Sequence, residues 1–169
     1  MWQTKGFSKE LLNMSVLSPK EVLHLKDLGV EFKNTTCKWI ILCDYEEIPI
    51  LETVESTKLY QQDKVRINCK TLPAPNFQEI LKFLPNYIEA SFSKKVFGDN
   101  GQNVKCGLTI ELGAEGWCID YTCELMDNYA VVDRESATER SFTNENILTA
   151  AYDLLCWYAE NEHLNNIQQ

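Results

Sequence analysis

Residues 143–163 read TNENILTAAYDLLCWYAENEH. Ile147, Leu148, Ala151, Leu154, Leu155, Tyr158 and Ala159 recur at the three- and four-residue spacing of one wide helical stripe. Thr143 is the expected N-cap, with Phe142 and Ile147 in staple positions and Glu145 near the positive end of the helix dipole. The segment before it alternates at a period of two, so the helix is expected to lay its stripe across a sheet.

The sheet is read from the alternation. Val104, Cys106, Leu108, Ile110 and Leu112 alternate, Gly113-Ala-Glu-Gly116 turns the chain, and Trp117, Ile119, Tyr121, Cys123 and Leu125 alternate back. Pairing Leu112 with Trp117, Ile110 with Ile119, Leu108 with Tyr121, Cys106 with Cys123 and Val104 with Leu125 makes every inward pair apolar or thiol. A slip of one residue sets Glu111, Asp120 and Glu124 against apolar neighbours. Ile88, Ala90 and Phe92 supply an earlier strand, with a turn at Gly98–Gly101. A last strand is expected at Tyr129–Asp133, followed by a polar loop over Arg134–Ser141.

Further upstream, Ser18 caps a helix over Pro19–Leu28. Glu21 completes a capping box, Leu17 and Val22 form a staple, and Gly29 ends the helix. Thr36–Cys43 reads as a strand apolar on both faces, and Ile48–Val54 as a second that Pro49 confines to an edge or a strand start. Lys64–Cys69 is a candidate short strand, and Leu72-Pro-Ala-Pro75 reads as a stiff connector. Asn76 and Glu79 cap a helix over Phe77–Leu84, which Pro85 stops. The fold class is therefore α+β: an antiparallel β-meander with helices packed on one face, plus a smaller N-terminal helix/strand subdomain. The division is 1–72 for the subdomain and 73–169 for an α-β-β-β-β-α unit, the two forming one compact domain.

A chain of 169 residues with 44% apolar content can bury a full core. The formal charge of −9 is uneven: residues 1–72 carry 10 basic and 10 acidic groups, residues 73–169 carry 6 and 15. No basic face is visible, which argues against tracking nucleic-acid phosphates; the acidic C-terminal half suits a solvated, solubilising surface or a basic protein partner. No apolar run approaches membrane-spanning length, and MWQTKGFSKELLN has no signal-peptide core. Seven cysteines, an odd number, without a secretion signal point to the cytoplasm and reduced thiols.

The chemistry that these residues offer is thin. Cys118 and Cys123 fall on opposite faces of one strand, and Cys37 and Cys43 stand about 20 Å apart along another, so neither pair makes a zinc site. His24 lies off its helix's stripe and His163 at a helix C-terminus, neither beside a nucleophile. Asp120 and Glu124, with Glu111 on the neighbouring strand, project from the outer face of the sheet, where alternating polar residues need no function. Trp157 lies roughly 130° from the centre of its helix's stripe, where it either packs on the N-terminal segment or is exposed as a partner hot spot. No catalytic, cofactor or metal set is assigned.

Four stretches carry a resemblance: LSPKEVLHLKDLGVEFKNTTCKWIIL at 17–42, LPAPNFQEILKFLPNYIE at 72–89, LTIEL with WCIDYTCEL at 108–125, and NILTAAYDLLCWYAENEHL at 146–164. In these the chain resembles small uncharacterised proteins encoded by phages and mobile elements of gut bacteria. The shared features are caps, a proline connector and apolar stripes, so the resemblance implies no active site. It implies an accessory protein acting inside a bacterial cell, with host factors as targets. The function expected is non-enzymatic protein–protein binding, with Trp157, Asp120, Thr122 and Glu124 as candidate surface residues and self-association left open. The alternative is a small-ligand binder or enzyme using Asp120, Thr122 and Glu124 on the open sheet face.

Overall fold

In the computed structural model, residues 16–42, 49–54, 69–91, 103–123 and 138–161 are described. Ser18 closes a capping box: its N–H and hydroxyl donate to Glu21 Oε2 at 2.7 and 2.6 Å, and its oxygen accepts from the Glu21 N–H at 3.4 Å. Helix α1, Pro19–Asp27, follows. Gly29 leaves it at φ 88°, a left-handed conformation that glycine adopts without strain. Its N–H donates to Lys26 O and the Val30 N–H to Leu25 O, both at 2.9 Å, which together make a Schellman motif. Val22 and Leu25 are buried, as the stripe requires.

Strands β1 (Cys37–Leu42), β2 (Pro49–Thr53) and β3 (Cys69–Ala74) form an antiparallel sheet ordered β2-β1-β3. β1 is central, which explains its apolar faces, and Pro49 begins an edge strand. The Leu72–Pro75 connector is corrected here: Leu72, Pro73 and Ala74 lie in β3, opposite Trp39, Lys38 and Cys37. A proline that cannot donate is tolerated because β3 is an edge. Val16, Cys37, Trp39 and Ala74 form one buried cluster against Leu51 and Leu72, and the Trp39 Nε1–H donates to Leu17 O at 2.7 Å.

Helix α2, Phe77–Leu81, is shorter than its apolar pattern. Its cap is reciprocal: the Glu79 N–H donates to Asn76 Oδ1 at 3.0 Å and the Asn76 N–H to Glu79 Oε2 at 2.9 Å. The buried Glu79 carboxylate also accepts from the Thr36 N–H at 2.7 Å, tying α2 to the start of β1. One side chain thus satisfies two backbone donors from segments distant in sequence.

Strands β4 (Tyr87–Ser91), β5 (Asn103–Gly113), β6 (Gly116–Cys123) and β7 (Thr138–Asn144) make the meander, ordered β4-β5-β6-β7 and wholly antiparallel. The β5–β6 register matches the hydrophobic pairing: Leu112–Trp117, Ile110–Ile119, Leu108–Tyr121 and Cys106–Cys123. The Arg134–Ser141 loop is corrected in part, since residues 138–141 belong to β7. The strand expected at Tyr129–Asp133, the Gly98–Gly101 turn, Phe92, Leu125 and His163 lie outside the described residues.

Helix α3 spans Ile147–Glu160. Its N-cap is Asn146, not Thr143: Asn146 Oδ1 accepts from the Leu148 N–H and Asn144 Oδ1 from the Asn146 N–H, both at 2.9 Å. Thr143 and Asn144 pair instead with Cys118 and Trp117, and Phe142 with Ile119, so sheet pairing overrides the expected cap and staple. Burial extends beyond the stripe, taking in Ala150 and Cys156, and none of Ile147–Ala159 is fully exposed. Two compact units result, one comprising the described residues of Met1–Ile80 and Ala159–Gln169, the other Leu81–Tyr158. Among the described residues no helix is long and apolar enough to cross a membrane.

Candidate functional site

Strand β6 presents Cys118, Asp120 and Thr122 on one face by simple alternation. The register sets Thr109 of β5 and Ser141 of β7 on either side of Asp120, and Glu111 and Thr143 beside Cys118. The Thr122 hydroxyl donates to Asp120 Oδ1 at 2.8 Å and the Cys118 thiol to Oδ2 at 3.5 Å. Cys118 Sγ lies 3.0 Å from Ser141 Oγ. With the thiol proton given to Asp120, the serine hydroxyl donates to sulfur.

This face is not open at its centre, which corrects the expectation drawn from alternation: Asp120 is 2% exposed and Thr122 half-buried. Glu124, the third residue of the expected polar site, lies outside the described residues. Nucleophilic thiols sit in electropositive, partly exposed surroundings. Here the thiol's partners are an acceptor carboxylate and a hydroxyl, so the cluster works as a hydrogen-bond network that joins β6 to β7.

The opposite, apolar face grades from core to solvent along β5. Cys106 is buried, as are Ile119 and Tyr121 beside it on β6. Tyr121 donates its hydroxyl to Pro85 O at 2.8 Å, and its ring centroid lies 6.4 Å from that of Trp157. Trp157 is thus half-buried on α3 with its ring toward the sheet. Burial pushes the Tyr121 phenol well above its ordinary value, with the neighbouring Tyr158 adding to it, and burial raises Tyr158 as well.

Toward the β5–β6 turn the cover ends. β4 pairs with β5 only from Asn103 to Gly107, because the chain enters β4 at Tyr87 directly after Pro85 and Asn86. The Leu108 N–H still donates to Asn86 O at 2.9 Å, and Thr109–Gly113 extend past β4, paired with β6. Ile110 is 37% exposed and Leu112 68%, beside the half-buried Trp117. Glu111 and Glu115 are exposed at the same end. Gly116, at φ 120°, brings the turn against the β7–α3 junction: a Cβ built there would lie 2.5 Å from Asn144 O and 2.9 Å from Glu145 Cα.

Sequence reasoning placed Leu112 inward and missed this tip. The available signal was the unequal length of the alternating runs, Ile88–Phe92 against Val104–Leu112. Among the described residues every buried side-chain nitrogen and oxygen has a hydrogen-bond partner, and no group of three or more His, Cys, Asp or Glu could hold a metal. Comparison with protein-family models, with curated proteins and with solved structures finds no match to this chain.

Proposed function

We propose that this chain is a non-enzymatic protein-binding module whose contact surface is the β5–β6 tip, serving a phage or mobile element inside the bacterial cell as an inhibitor or regulator of a host system. The observation that supports this reading is Leu112, a large apolar side chain 68% exposed on the same sheet face as the core, beside Ile110 and Trp117. An apolar surface at the end of a rigid, paired hairpin suits an anchor that enters a partner's pocket. Asp120 and Thr122, held in their own hydrogen-bond network, act beneath the surface in this reading. Trp157 keeps its packing role against Tyr121.

The test is capture from bacterial lysate by the tagged full chain, compared with Leu112→Ser and Leu23→Ser. Both leucines are exposed, so neither change costs more than about 0.5 kcal/mol in stability. The expected outcome is one stoichiometric partner, lost with Leu112→Ser and kept with Leu23→Ser. A partner held equally by both variants, or none at all, overturns the proposal.

A further inference from the structure

The tip also carries a charge pattern. Leu112 is flanked by Glu111 in the strand and by Glu115 across the turn, and the close approach of Gly116 to Glu145 Cα places a third exposed carboxylate at the same end. The sequence has no lysine or arginine from Cys106 to Asp133, nor any after Arg140. Arg140 itself holds its guanidinium over the Phe142 ring at 5.3 Å, four positions along β7 from the Asn144 that pairs with Trp117, or about 13 Å of strand.

Resting on the reading that Leu112 anchors a protein contact, we infer that the partner presents an apolar pocket bordered by lysine or arginine side chains. Docking Leu112 brings Glu115 and Glu145 to the rim of the contact. A neutral rim strips water from these carboxylates without compensation, and an acidic rim repels them. A basic rim pairs them and steers the encounter. The same argument disfavours a second copy of this chain, whose tip would set carboxylates against carboxylates, and an anionic lipid surface.

The probe is a short amphipathic helical peptide of leucine and lysine, with the same peptide carrying glutamine for lysine as comparison. Each is titrated into the full chain while the Ile110 and Leu112 methyl resonances are followed. The Leu/Lys peptide is expected to bind at least about tenfold more tightly than the Leu/Gln peptide. It should shift both methyl groups and weaken as salt rises from about 50 to about 300 mM. Leu112→Ser should abolish the binding, and Glu115→Gln with Glu145→Gln should abolish the preference for lysine. Equal affinity for both peptides, dependent on Leu112, overturns the basic rim and leaves the anchor standing. Lysine-peptide binding that survives Leu112→Ser overturns both. Leu112-dependent binding to phosphatidylglycerol vesicles assigns the tip to lipid and overturns the protein partner.

Discussion

Replacing Gly116 by alanine tests the geometry that holds the tip in place. At φ 120° a side chain is strained whatever the space around it, which costs about 1–3 kcal/mol. The alanine Cβ would also stand 2.5 Å from Asn144 O, 2.7 Å from Asn144 C and 2.9 Å from Glu145 Cα, all backbone atoms that no rotamer change can clear. Relief requires the turn to separate from the β7–α3 junction, weakening the Trp117–Asn144 pairing and the Asn144–Asn146 bond that precedes α3. Losing about two hydrogen bonds adds about 1–3 kcal/mol. The total of about 2–6 kcal/mol is a large fraction of a domain's usual stability.

Two further glycines separate the contributions. Gly29→Ala has a positive φ of 88° with nothing within 4 Å, so it should cost only the conformational strain, about 1 kcal/mol. Gly113→Ala meets only Gly116 O at 3.7 Å, an ordinary contact, and should change stability by less than about 0.5 kcal/mol. Urea unfolding of the three variants, with amide exchange to locate the loss in β6 and β7, measures the ordering. If Gly116→Ala and Gly29→Ala differ by less than about 0.5 kcal/mol, the close approach at the tip is refuted.

Other expectations follow from buried polar groups. Glu79→Gln turns one of two carboxylate acceptors into a donor facing the N–H of Thr36 or Asn76, and should cost about 1–3 kcal/mol, read as a fall in Tm; an unchanged Tm contradicts the bridge. Trp39→Phe leaves the buried Leu17 carbonyl without its 2.7 Å donor and should cost a similar amount in urea unfolding; a change below about 0.5 kcal/mol would show the bond to be dispensable. Tyr121 and Tyr158 are both raised by burial, so the folded state holds their protons where the unfolded chain releases them. Stability from this source is intact below the unfolded value near pH 10. It falls above that by about 1.4 kcal/mol per pH unit for each tyrosine until the folded value is passed. Tyr121→Phe should make the alkaline limb shallower, and an unaltered limb would mean that the phenol titrates as if exposed.

Local physics was legible wherever neighbours in sequence are also partners in space. Ser18 with Glu21, Asn76 with Glu79, and the closing Gly29 are recognisable because their hydrogen bonds join residues three to five apart, and the structure makes each of them. The β5–β6 register was equally readable, since an error of one residue sends charged side chains into the core. What the sequence left open depends on strands it could not pair. TNEN offers several capping residues before α3, and only the pairing of Thr143 and Asn144 with β6 selects Asn146. Leu72–Ala74 reads as a connector until β1 supplies an edge for it. Alternation told which face of β6 Asp120 occupies but not how deeply that face is covered. It likewise told that Leu112 shares the core face but not that β4 ends before reaching it. The sequence by itself determined α1, the body of α3, β1 and the β5–β6 hairpin with the phase of their side chains, because these are properties of one segment, whereas β3 and β7 became strands only through the partners they pair with. Burial depth, the exposed tip and its acidic setting belong to the tertiary structure, because they depend on where other strands stop.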